Sequence, residues 1–365
     1  MRPGRRWSLS GLLAGLIAAS GLALAGCDAV LPGGGPTPAA TATSLPVPRP
    51  TAESPSVVNT WYQAALGEGE VRVYADLSPQ ETEDVARLFG QRFPNIRVNW
   101  TRGLDRELVG RILAAARDGP DFDVFVGDAG TLLRTVGVAE RWTPPEARSV
   151  RPEYVDREGA WYGVAATYHV LQYNTDQVPF AARPTRYEDL ANPTYFGRLA
   201  VEEDALTWLK GLIESRGRQE TVDTLKALAP QGVTLRRGPQ TLADLVSAGQ
   251  HAVAIDNRLE AVERDKRGGA KTNWVAIEPA VVQPTAVVLS ARAQHPNAAR
   301  LFADFLLSGD AQNLLAQGGR IPTRTDIDPE PQSLVRAVRT HFTLPPEGAV
   351  ERDLRALYQD LWRER

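Results

Sequence analysis

The chain has 365 residues, 43% of them hydrophobic, and a formal net charge of −3, which suits a globular protein of roughly two domains. Its single cysteine excludes an intrachain disulfide and any zinc or iron–sulfur site built from several cysteines. The mildly acidic balance, without a basic block, argues against nucleic acid as a partner.

The N-terminus carries an export signal. Three arginines lie within the first six residues, an apolar run extends from Leu9 to Ala25, and the run ends in Leu24-Ala25-Gly26-Cys27. A basic flank, a short apolar run and small residues before a cut predict a signal peptide over residues 1–26. The last four residues resemble the lipobox of bacterial lipoproteins, which implies that Cys27 is lipidated. The alternative is an uncleaved membrane anchor, because the run approaches the length of a spanning helix.

Residues 27–57 are rich in proline, threonine, alanine and serine and almost free of charge. Such a segment has too little large apolar surface to fold, and its prolines favour a semi-extended spacer. We therefore interpret it as a tether. Loss of residues 1–26 removes three arginines and no acid, which takes the formal charge from −3 to −6.

From Val58 onwards, strand and helix patterns alternate. Short apolar strands and amphipathic helices in this order predict an α/β protein with doubly wound, parallel sheets. The predicted elements of the first part are strand 71–75, helix 79–93, strand 96–100, helix 104–117 and strand 123–126. In the second part they are strands 199–201, 233–235, 252–255, 275–277 and 286–290, and helices 205–216, 219–229, 242–248, 297–307, 311–317 and 349–363.

Several stretches of the chain resemble the type II periplasmic binding-protein family, closest to the branch of ferric-ion-binding proteins and their polyamine-, thiamine- and phosphonate-binding relatives. The order and spacing of the stretches carry the resemblance. They are Asp121–Asp128, Trp161–Thr175, Tyr187–Ala200, His295–Gln312 and Arg320–Thr323.

The resemblance implies a two-lobed fold with a hinge, in which lobe 1 comprises residues 58–170 and 285–365 and lobe 2 comprises residues 171–284. It implies a non-enzymatic, monomeric carrier, held at the extracytoplasmic face of the membrane by its lipid. Its partners would be a small-molecule or ion ligand and an ABC permease, with no cofactor. A lipoprotein that senses a ligand for a membrane receptor stays open as an alternative.

An exported enzyme is the competing class. The sequence contains no His-Glu-x-x-His, Gly-x-Ser-x-Gly or Gly-x-x-x-x-Gly-Lys motif. Of its four histidines, His169 lies in an apolar strand pattern and is expected to be packed rather than catalytic.

Ligands of doubly wound sheets bind beyond the carboxyl ends of strands. The candidate ligand-binding residues at predicted strand ends and in the hinge are Asp76, Ser78, Arg102, Gly127, Asp128, Thr167, Tyr168, Asp204, Asp256, Asn257 and Arg258. Asp76, Ser78, Asp128 and Asp204 also fit helix N-caps.

Two features bear on the charge of the ligand. Ferric-binding relatives carry an adjacent tyrosine pair where this chain has Asp256-Asn257-Arg258, which argues against Fe(III) binding of that type. If Arg102 and Arg258 face each other across the cleft, an anion between them is favoured. The nearby aspartates favour an amine or a metal instead, and we give the anion a slight preference.

Overall fold

The computed structural model describes residues 55–115, 121–331, 334 and 337–363. The predicted signal peptide, Cys27 and the predicted tether as far as residue 54 lie outside these residues. Residues 55–57, which the sequence assigned to the tether, begin a helix instead. No helix in the described part is long and apolar enough to span a membrane.

The described strands form one ten-stranded mixed sheet with the path β2-β1-β3-β9-β4-β7-β5-β6; β10 pairs with β9, and β8 pairs with β4. The strands are β1 Glu70–Ala75, β2 Arg97–Arg102, β3 Val124–Gly127, β4 Tyr162–Asn174, β5 Leu199–Glu202, β6 Thr234–Arg236, β7 Val253–Arg258, β8 Thr272–Val275, β9 Ala280–Leu289 and β10 Thr340–Phe342.

We call the β2-β1-β3 side the first lobe and the β7-β5-β6 side the second lobe. Within each of these sides the strands are parallel, as predicted. The prediction of parallel sheets is wrong at the centre, where β9 runs antiparallel to β3 and β4, and β4 runs antiparallel to β7. Local apolar periodicity locates strands but does not show their relative direction. Strand β4 is long enough to pair in both lobes: Tyr162–Tyr168 pair with β9, and His169–Tyr173 pair with β7.

Helices cover the sheet. They are α1 Pro55–Glu68, α2 Pro79–Arg92, α3 Asp105–Ala115, α4 Gly130–Thr135, α5 Leu206–Arg216, α6 Arg218–Lys226, α7 Pro239–Ser247, α8 Leu259–Arg267, α9 Pro296–Leu307, α10 Gly309–Gln317 and α11 Gly348–Leu361. Short 3-10 helices lie at Pro145–Ser149, Pro152–Tyr154, Phe180–Ala182, Tyr187–Ala191, Pro193–Tyr195 and Ala229–Gln231.

Helix α2 shows how local sequence fixes an element beside the cleft. Ser78 is its N-cap: the hydroxyl accepts the N–H of Glu81, and the Glu81 carboxylate accepts the N–H of Ser78. This capping box satisfies two backbone donors that the first turn leaves unpaired. Val85 and Phe89 bury the apolar face, and the Phe89 ring meets Phe302 edge-on at 5.1 Å. The start of α2 is thereby held rigidly at the end of β1.

The hydrophobic core is divided between the lobes. One cluster contains Phe89 and Phe302, and another is built around Leu171 and Trp208. Helix α11 contributes Leu354, Tyr358 and Leu361 to the second of these clusters. The sequence assigned this helix to lobe 1, and its packing against the second lobe corrects that assignment. Amphipathic periodicity shows that a helix is buried on one face, but it does not show which lobe covers that face.

Candidate functional site

Arg258 joins the two lobes at the end of β7. It ends β7 in the second lobe, and its guanidinium reaches two carboxylates that follow first-lobe strands. Nη1 lies 3.1 Å from Asp76 Oδ2, just beyond β1, and Nη2 lies 2.8 Å from Asp128 Oδ2, just beyond β3. Gln283 on β9 also donates to Asp128 Oδ2, at 2.5 Å. One side chain of the second lobe is therefore held by both strand ends of the first.

A third aspartate stands behind this pair. Asp105 begins α3, and its Oδ2 accepts the backbone N–H of Asp128 at 2.6 Å, while its Oδ1 is buried without a hydrogen-bond partner. Gly127 makes room for this carboxyl group, because a Cβ at that position would lie 1.9 Å from Asp105 Oδ1. Burial, reinforced by the charges of Asp128 and Asp76, raises the pKa of Asp105 well above its usual range.

The second lobe adds a buried histidine–aspartate pair. Nδ1 of His169, on β4, lies 3.0 Å from Asp256 Oδ1, on β7. The next residue, Asn257, donates to Gln172 Oε1 at 2.8 Å. Burial opposes a charge on the His169 ring, but the Asp256 carboxylate outweighs burial and raises the pKa of His169. Asp256 therefore favours the protonated form of His169, which lies on β4, the strand that pairs with both lobes.

We expect this pair to make stability depend on pH. A histidine whose folded-state pKa is raised contributes stability below its unfolded pKa, near 6.5, and loses it as pH rises through the folded value. The advantage of the wild type over His169→Gln, about 1–3 kcal/mol, should therefore be greatest near pH 6 and shrink in alkali. Urea unfolding from pH 5.5 to 9 measures it, and His251→Gln is the contrasting histidine variant, because burial lowers the pKa of His251. A difference that is constant with pH would contradict the assignment.

Two cavities flank Arg258. The smaller has a volume of about 40 Å³, enough for a water molecule, and is lined by His169, Glu202, Asp204, Ala205, Thr207, Pro239, Asp256, Asn257, Arg258 and Gln283. Burial raises the pKa of Glu202 to about 7, so this carboxyl group is only about half ionised at neutral pH.

The larger cavity has a volume of about 370 Å³ and opens at the N-terminus of α2. Residues from Asp76 to Glu81 form its first-lobe wall, and Pro239, Gln240 and Arg264 belong to the opposite wall. Arg320 lies at its base, buried, with Nε bonded to Glu81 and Nη1 3.6 Å from Glu260. The charged groups around this space are therefore mixed in sign and largely paired with each other.

Ion pairs also join the lobes at the rim. Arg106 on α3 lies 2.5 Å from Glu203 and 3.4 Å from Asp204, which both follow β5. In the opposite sense, Arg237 of the second lobe pairs with Glu107 on α3. The described structure therefore has its lobes in contact across the cleft.

Asp204 also binds Arg355 at 2.8 Å and does not cap α5. That helix begins at Leu206, after Ala205, without a side-chain cap.

The strand-end residues separate into distinct environments. Asp76, Gly127, Asp128 and Arg258 come together at the lobe contact, and Asp204, Asp256 and Asn257 line the smaller cavity. Thr167 is buried, with its hydroxyl 3.1 Å from that of Thr285. Their part in ligand binding stays a prediction.

Three other candidates lie in different surroundings. Ser78 caps α2, as the alternative interpretation held, although it also lines the larger cavity. Tyr168 is buried in the hydrophobic cluster of the first lobe. Arg102 is exposed at the end of β2 and lines neither cavity. The predicted approach of Arg102 to Arg258 is therefore not found, and the argument for an anion between them is lost.

Sequence reasoning missed Asp105, Glu202, Glu260, Gln283 and Arg320. Asp105 lies inside a predicted helix, where an acid in the first turn has an ordinary explanation in the helix dipole. Arg320 was part of the resemblance to the binding-protein family, but nothing local predicted its burial. Its partner Glu81 is distant along the chain, so a single sequence could not reveal the pair.

Comparison with known proteins gives a consistent result. Residues 134–342 match the sequence model of the family described as bacterial extracellular solute-binding protein. The chain is 30% identical over 161 residues to the Fe(3+)-binding periplasmic protein of Serratia marcescens. That match covers 42% of this chain and 47% of the relative, so the chain spans about half the length of the curated relative it matches.

Solved structures show the same fold. Iron-bound HitA from Pseudomonas aeruginosa is 21% identical, with a TM-score of 0.68 over 80% of this chain and 99% of its own. The substrate-binding protein of an ABC transporter from Agrobacterium tumefaciens is 15% identical, with a TM-score of 0.72 over 82% and 97%. AfuA from Actinobacillus pleuropneumoniae, with fructose-6-phosphate bound, is 19% identical, with a TM-score of 0.65 over 81% and 97%. The predicted periplasmic binding-protein fold is confirmed, and the chain belongs to the bacterial extracellular solute-binding protein family.

Proposed function

We propose that this protein captures a small solute between its two lobes and delivers it to the permease of an ABC importer, while the lipidated Cys27 holds it at the extracytoplasmic face of the membrane. The observation that carries the proposal is the contact of Arg258 with Asp76 and Asp128, because it places charged groups of both lobes at one point. Groups from two lobes that meet only on closure give a ligand contacts that the open form lacks, which shifts the population towards the closed form.

Fe(III), named in the description of the Serratia relative, is not the solute favoured by the residues at this point. Fe(III) prefers hard anionic oxygen donors such as phenolates. After β7 this chain places Asp256, Asn257 and Arg258, of which Asp256 is bound to His169 and Arg258 is a cation. Among the described residues, no three His, Cys, Asp or Glu side chains are arranged to hold a metal ion. We therefore look for an organic solute.

A ligand screen tests the proposed function. The full-length chain, purified in detergent, would be screened by thermal shift against metal ions, inorganic and organic anions, polyamines and thiamine. A ligand at a hundredfold excess over its Kd should add about 2.7 kcal/mol to the free energy of unfolding. Binding should be stoichiometric, should compact the protein in solution scattering, and should leave the ligand chemically unchanged by mass spectrometry. Turnover of the ligand would contradict a carrier role and support an enzyme.

The anchor is tested separately. We expect Cys27→Ala to leave the chain unprocessed and to abolish labelling by a radioactive or alkyne-tagged fatty acid, because the thiol is the group that accepts the diacylglyceryl unit. Two acyl chains are enough for stable membrane attachment. Since this cysteine is the only one in the chain, it leaves no second thiol to confuse the labelling. Unchanged lipid labelling and unchanged cleavage in the variant would refute the anchor.

A further inference from the structure

We propose that Arg258 is a built-in competitor for the solute: it occupies a cation-binding site of the first lobe, and the transported solute is a small organic cation that displaces it. This inference rests on the proposed function and specifies the charge of the ligand. The geometry behind it is the pairing of one guanidinium with two carboxylates on the other lobe, at 3.1 Å and 2.8 Å.

The charges on the first lobe require a cation at this point. Asp76 and Asp128 both face the guanidinium, and their side chains are only 20% and 9% exposed, so water screens them weakly. The nearby Arg320 is already engaged by Glu81 and Glu260. If Arg258 moves away with the second lobe, two shielded carboxylates lose their counter-charge. An anionic solute would add to that repulsion, whereas a cationic solute would relieve it.

The spacing suits a nitrogen cation better than a metal ion. Each terminal nitrogen of Arg258 lies near its own aspartate, so the two carboxylates are separated by the width of a guanidinium fork. A metal ion would need several oxygens within about 2.0–2.6 Å of a single point. The donors of an organic cation, in contrast, fit the carboxylates where they stand.

The test uses methylguanidinium chloride, which reproduces the end of the arginine side chain. We expect Arg258→Ala, which empties the site, to bind methylguanidinium at least tenfold more tightly than the wild type in calorimetry. Arg102→Ala is the matched control, since Arg102 also ends a strand but lines neither cavity. Arg102→Ala should bind methylguanidinium with the same affinity as the wild type. In Arg258→Ala/Asp128→Asn the gain should disappear, because one of the two carboxylates is neutralised.

A second variant covers the case in which Arg258→Ala does not fold. Arg258→Gln keeps most of the side-chain volume but removes the charge, and it should likewise bind methylguanidinium at least tenfold more tightly than the wild type in calorimetry. Equal affinity of the wild type and either variant for methylguanidinium would overturn the inference.

The ligand found in the screen separates this inference from the proposed function. A cationic solute that Arg258→Ala binds at least tenfold more tightly than the wild type supports both. An anionic solute whose binding is lost in Arg258→Ala leaves solute capture intact and overturns the cationic class. If no compound binds either protein and neither is compacted, the proposed function itself is wrong, and the inference falls with it.

Discussion

Gly127→Ala is expected to destabilise the protein by about 2–3 kcal/mol and to disturb the lobe contact. The added Cβ would lie 1.9 Å from Asp105 Oδ1 and 2.8 Å from the Phe125 ring. Phe125 is fully buried and cannot give way, so the Asp105 carboxyl group must move. Its hydrogen bond with the N–H of Asp128 is then lost, and Asp128 is no longer held opposite Arg258.

Urea unfolding of Gly127→Ala measures the loss, and Gly110→Ala is the matched control. Gly110 lies inside α3, the helix that carries Asp105, and a Cβ there meets nothing within 4 Å. Alanine favours a helix interior over glycine by up to about 1 kcal/mol, so the control should gain stability. Similar small effects at both positions would show that the close approach of Asp105 to Gly127 is not a constraint.

The same contact shows how far strand-end reasoning reaches. Asp76, Asp128 and Arg258 were all predicted because apolar periodicity locates the ends of buried strands, and the ends of parallel strands share one edge of a sheet. Arg102, in contrast, is exposed and lines neither cavity, although β2 was predicted correctly as a strand. Strand β2 is at the outer end of the sheet, next to β1 alone, whereas β3 adjoins the central strand β9. The order of the strands in the sheet decides which strand ends face the cleft, and a local sequence pattern does not show that order.

Pairing between distant residues is the second limit. The sequence indicated that α11 buries one face, but it did not show that Tyr358 and Leu361 pack in the cluster of Trp208. Nor did it show that Glu81 binds Arg320, which lies more than 200 positions away. The capping box at Ser78 was predictable because its partners are three residues apart. Contacts within one turn follow from the sequence pattern, while contacts between elements depend on the packed fold.

Arg320→Met is expected to lower the free energy of unfolding at pH 7 by about 3–5 kcal/mol, the usual cost of removing one partner of a buried ion pair. The Arg320 side chain is 6% exposed, and its partners Glu81 and Glu260 are 12% and 11% exposed. The substitution keeps an apolar side chain in the space but leaves two shielded carboxylates without their cation. Arg87→Met is the matched control, because Arg87 pairs with Asp84 at the surface and is 57% exposed. Arg87→Met should lower the free energy of unfolding by less than about 1 kcal/mol.

The dependence of this loss on pH identifies its cause. In the wild type, burial works against ionisation of Glu81, but Arg320 and the Ser78 N–H outweigh burial and lower the pKa of Glu81. A carboxyl group with a lowered folded-state pKa contributes stability above its unfolded value, near 4.5, and loses it as pH falls through the folded value. Without Arg320, burial dominates, so Glu81 should take up a proton at a higher pH, and in acid the buried carboxylate no longer carries an unpaired charge.

The difference in the free energy of unfolding between wild type and Arg320→Met, measured by urea unfolding, should therefore be largest near pH 7 and narrow towards pH 5. Adding Glu81→Gln to the variant should recover part of the loss at pH 7, and a loss that is independent of pH and unaffected by Glu81→Gln would mean that Arg320 stabilises the protein by packing alone.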